Sequence, residues 1–325
     1  MKNFFNLILI SFAAVVINSS HLTAQILDDV FSDKTRFGTG PQLDGHDFIV
    51  NSFIKNPFIN TNIRTSLGYA TSIETDIPRL KVDSDTISKK LKGNISYISG
   101  LFEFQYAVKD WAAIWLSGSA IARLGTNVPS LFVSGITANT SFETGLMFKV
   151  LSYKKMLLSS SFSINNSGSS VISIFPYIVS QLDSTYDNKL LESYNPLSGS
   201  VDVRLAYTPG KRWSILGYVE SGYGEIIGKD IDDRFFTSFG ATANFNLSIN
   251  SKTPLSFGTG FRLNSNSPTL DDVSQWTQAY LVQIAYCGKR DFLLSIEATY
   301  LRIPSRSYDL TLNLTSYGLN WTYYF

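Results

Sequence analysis

Twelve stretches of about 10–15 residues alternate apolar and polar side chains along most of this chain, and a period of two restricts them to β-sheet. They run 58–70, 94–107, 111–123, 137–150, 156–165, 198–208, 213–225, 235–249, 254–264, 276–287, 291–303 and 310–325. The connections between them alternate in kind. The short ones are VKD (108–110), LSYKK (151–155), PGKR (209–212), NSKT (250–253) and GKR (288–290), each with a Lys or Arg. Between these fall 71–93, 124–136, 166–197, 226–234, 265–275 and a brief 304–309. Short and long connections in strict turn predict an all-β, antiparallel up-and-down barrel of twelve strands, with turns on one rim and loops on the other. An even strand count puts both ends of the sheet at the turn rim. A soluble sandwich gives no reason for such an order.

Bulky apolar residues define the two faces. In 254–264, Leu255, Phe257, Thr259, Phe261 and Leu263 oppose Ser256, Gly258, Gly260, Arg262 and Asn264. In 198–208, Val201, Val203, Leu205 and Tyr207 oppose Ser200, Asp202, Arg204 and Ala206. In 276–287, Tyr280, Val282, Ile284 and Tyr286 oppose Ala279, Leu281, Gln283 and Ala285. The polar face is rich in Gly and Ser and poor in Lys, which suits an enclosed polar interior better than bulk water. This parity turns every mid-strand charge inward. The basic residues are Arg64, Arg123, Lys149, Arg204 and Arg262; the acidic ones are Glu103, Glu143, Asp202, Glu220 and Glu297. In 213–225 the apolar pattern is weak and the charge itself helps to set the face. A Lys or Arg facing lipid at mid-depth costs roughly 2–4 kcal/mol. Several such errors would exceed a whole stability of order 10 kcal/mol. These ten residues are therefore the expected charged lining of the lumen.

Residues 1–24 carry one Lys, an apolar run from Phe4 to Ile17, a polar stretch and then Ala24, the layout of a cleavable export signal. The run is too short for a comfortable transmembrane helix, and after it no apolar run reaches 18 residues. A chain like this crosses a membrane with strands or not at all. Removing the signal takes only Lys2 from 27 basic and 26 acidic residues, leaving 26 of each sign. That balance offers no field to capture nucleic acid. The single cysteine, Cys287, makes no intramolecular disulfide, although an exported location would permit one. Charged residues at 16% and aromatic residues at 14% are lean and rich, respectively, for a soluble protein.

The chain closes on LTSYGLNWTYYF. Counting back, Phe325, Tyr323, Trp321, Leu319 and Tyr317 share the lipid face, with Tyr324, Thr322, Asn320, Gly318 and Ser316 on the other. The stretch SYGLNWTY (316–323) resembles the C-terminal signal of Gram-negative outer-membrane β-barrel proteins: a polar residue, Gly318, then the spaced aromatics Trp321 and Tyr323, with Phe325 as the terminal aromatic. The usual form ends on the second aromatic, whereas here Tyr324 and Phe325 follow. VKDWAAIWLSGSAIARLGT (108–126) is similar to a stretch of uncharacterised exported barrel proteins. The resemblance implies insertion by the barrel-assembly machinery into the bacterial outer membrane, with outer-membrane lipid around the wall. It implies no particular activity.

Twelve strands tilted near 40° enclose a backbone cylinder roughly 24 Å across. The expected function is a channel or transporter passing small solutes through a polar, charge-lined lumen. The alternative is a closed barrel that anchors external loops for structure or adhesion. Two segments bear on the choice. Residues 25–57 precede the first strand and either plug the lumen or lie in the periplasm as a tether; Phe48, Ile49, Val50, Phe53 and Ile54 ask for burial. Loop 166–197, with VISIFPYIVSQL, either folds inward or extends the neighbouring strands. An enzyme is not expected, because a hydrolase of the Ser–His kind needs a histidine base and the mature chain has only His46, outside the strands. No Cys/His cluster suits zinc. The acidic stretches DDVFSDKTRFGTG and DSDT lack the spacing of a calcium loop, so neither metal nor cofactor is expected.

Overall fold

The computed structural model describes residues 40–72, 75–76, 92–93, 96–124, 135–172, 177, 191–226, 232–248, 253–265, 276–305 and 310–325. The export signal expected at 1–24, the first part of the N-terminal segment and most of the apolar loop after 172 lie outside these residues.

Twelve long strands form the wall: β1 (Asn62–Ser72), β2 (Ser96–Lys109), β3 (Ala112–Leu124), β4 (Gly135–Tyr153), β5 (Met156–Ile172), β6 (Leu197–Gly210), β7 (Trp213–Ile226), β8 (Asp232–Asn246), β9 (Leu255–Asn264), β10 (Thr277–Tyr286), β11 (Phe292–Ser305) and β12 (Leu310–Tyr324). Each pairs antiparallel with the next in sequence, and β12 pairs with β1 from Leu314↔Ser72 to Tyr324↔Asn62. The sheet therefore closes on itself. Closure removes every free edge, which is what allows strands to lie in a medium without hydrogen-bonding partners.

The faces separate sharply. On β6, Val201 and Val203 are 54% and 45% exposed, whereas Asp202 and Arg204 between them are 1% and 3% exposed. Leu67, Phe102, Leu146, Phe162, Val219, Tyr280, Ile284, Ile296, Leu319 and Tyr323 repeat the exposed apolar face around the whole wall. Exposed side chains this apolar and this continuous belong in lipid rather than in water. Aromatic pairs stand towards both rims: Trp111 stacks on Phe148 at 6.1 Å, Trp213 meets Phe245 at 4.8 Å and Tyr323 meets Phe325 edge-on at 4.9 Å on the turn side, and Tyr223 meets Phe235 at 4.8 Å and Phe239 meets Trp276 at 5.6 Å on the loop side. Rings of this kind fit the interface between lipid and water. The amide of Phe325 donates to the carbonyl of Thr61, so the last residue ties to the start of β1.

Four strands differ from the periodicity by three residues or more at an end, the fourth running on to Tyr153 rather than 150. The fifth strand runs to Ile172 rather than 165, and Leu191–Tyr194 pairs with its extension across Ser169–Ile172. There the chain is Ser- and Gly-rich on both faces, so the apolar alternation fades while backbone pairing continues. The first strand begins at Asn62 rather than 58, because Phe58 is buried in the interior and its amide is taken by Asn56 Oδ1. The eighth strand is set three residues earlier by its ladder with β7, which reaches Ile226↔Asp232.

Candidate functional site: the barrel interior

Residues 40–61 touch strands on all sides of the barrel, which a segment can do only from within. The chain enters at the turn rim, where the Gly40 amide donates to the carbonyl of Arg290. It then makes a two-residue hairpin, Gln42–Leu43 against His46–Asp47, around Asp44 and Gly45. Both turn residues have positive φ, 49° and 75°, the conformation in which a two-residue hairpin matches strand twist. From there polar contacts reach the wall in every direction. Asn244 on β8 donates to Ile49 O; Arg64 on β1 donates to Asn51 O at 2.9 Å. The Ser52 hydroxyl and amide both donate to the carboxylate of Glu297 on β11. Arg204 on β6 donates to Asn56 O at 2.8 Å, and Gln105 on β2 to the carbonyls of Phe58 and Asn60 at 2.7 and 2.8 Å.

Apolar packing accompanies these bonds. Phe48, Val50, Phe53, Ile54 and Phe58 form a cluster with inward-facing Leu157, Ala206, Leu216, Tyr218, Ala279 and Leu281. Ile49 packs separately with Ala285, Leu293 and Tyr324. His46 is fully buried, edge-on to Phe48 at 5.3 Å, with Nδ1 bonded to Lys211 O at 2.7 Å. Burial holds its pKa below the ordinary histidine value, against the opposing pull of that carbonyl and of Asp47.

The strongest electrostatic feature centres on Lys55. Its Nζ lies 2.8 Å from Glu220, 3.1 Å from Glu143 and 3.4 Å from Asp202, carboxylates of β7, β4 and β6. Burial opposes a charge there, but Glu143 and Glu220, helped by Asp202, outweigh it and raise the ammonium above the ordinary lysine range. The wall supplies each of these acids with a partner of its own. Ser163 Oγ donates to Glu143 at 2.9 Å and Ser200 Oγ donates to Glu220 at 2.7 Å, and the two hydroxyl oxygens stand 2.9 Å apart with neither proton left to bridge them. Arg204 takes both oxygens of Asp202, at 2.8 and 3.0 Å, and donates to Ser161. The Trp115 ring lies 5.8 Å from Lys55 Nζ and 5.4 Å from the Arg204 guanidinium. It can lie flat there because Gly145 opposite has no side chain: a Cβ would stand 2.5 Å from Phe162 O and 2.9 Å from Trp115 Nε1.

The other charged residues named from the sequence are dispersed. Arg64 pairs with Glu103 at 2.6 Å across neighbouring strands. Arg262 stacks on the Phe53 ring at 5.0 Å. Arg123 stands in register with Tyr97 near the loop end of β3, and Lys149 lies on β4 near the turn rim. Gly318 lies between Glu297 and Gly68 in register, and Trp321 between Leu294 and Thr65. Sequence reasoning missed Lys55, Ser52, Asn51, Asn56, Gln105 and Trp115. An isolated Lys amid Phe53, Ile54 and Phe58 was the one available signal, since a cation in an apolar run asks for a carboxylate.

No protein-family model matches the chain, and no curated protein matches it. Solved structures similar to it include the CymD monoaromatic hydrocarbon channel, with 9% identity, a TM-score of 0.41, and 90% of this chain and 98% of that one covered. The NanC porin gives 10% identity, a TM-score of 0.45, and coverage of 82% and 100%. The β domain of the Bordetella autotransporter BrkA gives 9%, 0.45, and 82% and 100%. Likeness at this level reflects general barrel geometry and says nothing of substrate. The closed wall, apolar outside and polar within, is by its own geometry a transmembrane β-barrel of the outer-membrane type.

Proposed function

We propose that the protein is an outer-membrane channel for small polar solutes, closed at rest by its own residues 40–61. The observation that carries this reading is the chemistry of the inner wall behind the segment. Replacing buried ion pairs by apolar packing is generally neutral or stabilising. A barrel meant to stay dry and closed has little use for Glu143, Asp202, Glu220 and Glu297 on its inner face. Among the described residues, Gln283 Oε1 and Nε2, Asn244 Oδ1 and Thr242 Oγ1 are also buried without a protein partner. Such groups cost about 1–3 kcal/mol each when dry and cost little against water. A wall built this way suits a second state in which water and solute replace the segment. No catalytic role is proposed: His46, the lone histidine of the mature chain, is spent on Lys211 O at the turn rim.

A second reading is favoured by one observation, the apolar cluster around Phe48, Phe53 and Phe58, which resembles a permanent core. In that case the barrel is a closed anchor for its external loops. Single-channel conductance of the refolded mature protein, with and without residues 25–57, separates the two. The channel reading expects silence or rare steps from the intact protein and steady steps from the truncated one. Silence from both supports the anchor.

A further inference from the structure

Lys55 is held in the manner of a ligand. One nitrogen with three protons faces three carboxylates on three wall strands, at 2.8, 3.1 and 3.4 Å. Those distances suit an ammonium, whose donors spread over several acceptors. They are too long for direct metal coordination, which needs about 2.0–2.6 Å. An indole ring closes one side at 5.8 Å, as in sites that recognise cationic nitrogen. The indole Nε1 is buried with no partner among the described residues and lies over Gly145, one inward position from Glu143, leaving a donor for a further oxygen. The acids that form this seat are oriented by Ser163, Ser200 and Arg204, all of them wall residues. Without Lys55 the three carboxylates would face, among the described residues, the Arg204 guanidinium as their cation. The seat is not sealed by protein: the side chains of Lys55 and Glu143 remain 21% and 24% exposed inside the barrel, although Asp202 behind them is 1% exposed.

We propose that Glu143, Asp202 and Glu220, with Trp115, form a binding site for the ammonium group of a primary amine, and that Lys55 occupies it as a tethered stand-in. Resting on the plugged-channel reading, this names the solute class: a primary amine entering the lumen competes with Lys55, loosens residues 40–61 and is itself the cargo. An ammonium rather than a quaternary cation is required, because the seat works through N–H donors.

The test is rescue of the full-length Lys55→Ala protein by ethylammonium. Its thermal midpoint should rise by several degrees in ethylammonium chloride. Neither tetramethylammonium chloride nor sodium chloride at equal ionic strength should do the same. Wild type, with its seat filled, should show no such rise, and in Lys55→Ala/Glu220→Gln the rise should shrink or vanish. Refolding of Lys55→Ala only when ethylammonium is present would support the site equally. Lys55→Met, which keeps the methylene stem, is read by the same comparison should the alanine variant fail to refold. Equal effects of ethylammonium and tetramethylammonium would overturn the proposal. Conductance is scored separately: a silent truncated protein ends the channel reading, while the rescue still decides whether the seat binds amines.

Discussion

Asp202 has almost no contact with solvent, and Arg204 answers it with two parallel hydrogen bonds two residues along the same strand. Among the described residues, removing Arg204 leaves Asp202 with only the longer ion pair to Lys55, at 3.4 Å. Arg204→Met should therefore destabilise the barrel by about 3–5 kcal/mol. Adding Asp202→Asn should recover a good part of that loss. Urea unfolding in lipid vesicles measures both, and a double variant no better than the single one would show that the pair is not coupled. His46 gives a pH-dependent case. Its folded pKa lies below the ordinary 6.5, so the unfolded chain binds the proton more readily. Stability present above pH 6.5 is lost as pH falls through the depressed value. The midpoint of the wild type should drop between pH 7 and pH 5 more steeply than that of His46→Asn, and parallel profiles would remove His46 as the cause. At this scale the sequence told which residues share a face and little about who meets whom. Periodicity assigns a side to Asp202 or Glu220, but partners across a closed barrel depend on the strand register and on a segment outside the strands. The three carboxylates that meet Lys55 are invisible for that reason.

Strands were the most legible elements. Alternation over ten residues, punctuated by Lys-bearing turns, located all twelve, because lipid outside and polar groups inside enforce a strict period of two. Where only one of those media acts, the signal weakens. The extension of β5 towards the loop rim, beyond residue 165, carries Asn, Ser and Gly on both faces, and only backbone pairing reveals it. The Asp44–Gly45 hairpin was signalled in the sequence by its DG pair, but two residues on each side give no period to measure. The outer face makes its own prediction. Val203 is on the exposed apolar face at mid-strand, so Val203→Lys should cost roughly 2–4 kcal/mol in a bilayer. The same unfolding assay checks it, and a cost near zero would put Val203 near the interface rather than at mid-depth.

At the scale of the molecule, the wall was foreseeable and the contents of the lumen much less so. An even number of strands with alternating connections implies a meander, and a meander with no spare edge implies closure. What fills the interior follows from no periodicity. Phe48, Ile49, Val50, Phe53 and Ile54 ask for burial in general terms, yet their neighbours on β5 to β7 and β10 to β12 are known only from the folded chain. One geometric detail has a mechanical meaning. The interior segment begins at Gly40, tied to Arg290, and ends at Thr61, tied to Phe325, and both ties are at the turn rim. Entry and exit lie on the same side, so the segment is a loop pushed into the barrel, not a thread passed through it. A pull on Gly40 from that side would draw the segment back past the turn rim. The wall would not need to open, and neither described end of the segment would have to cross the length of the barrel.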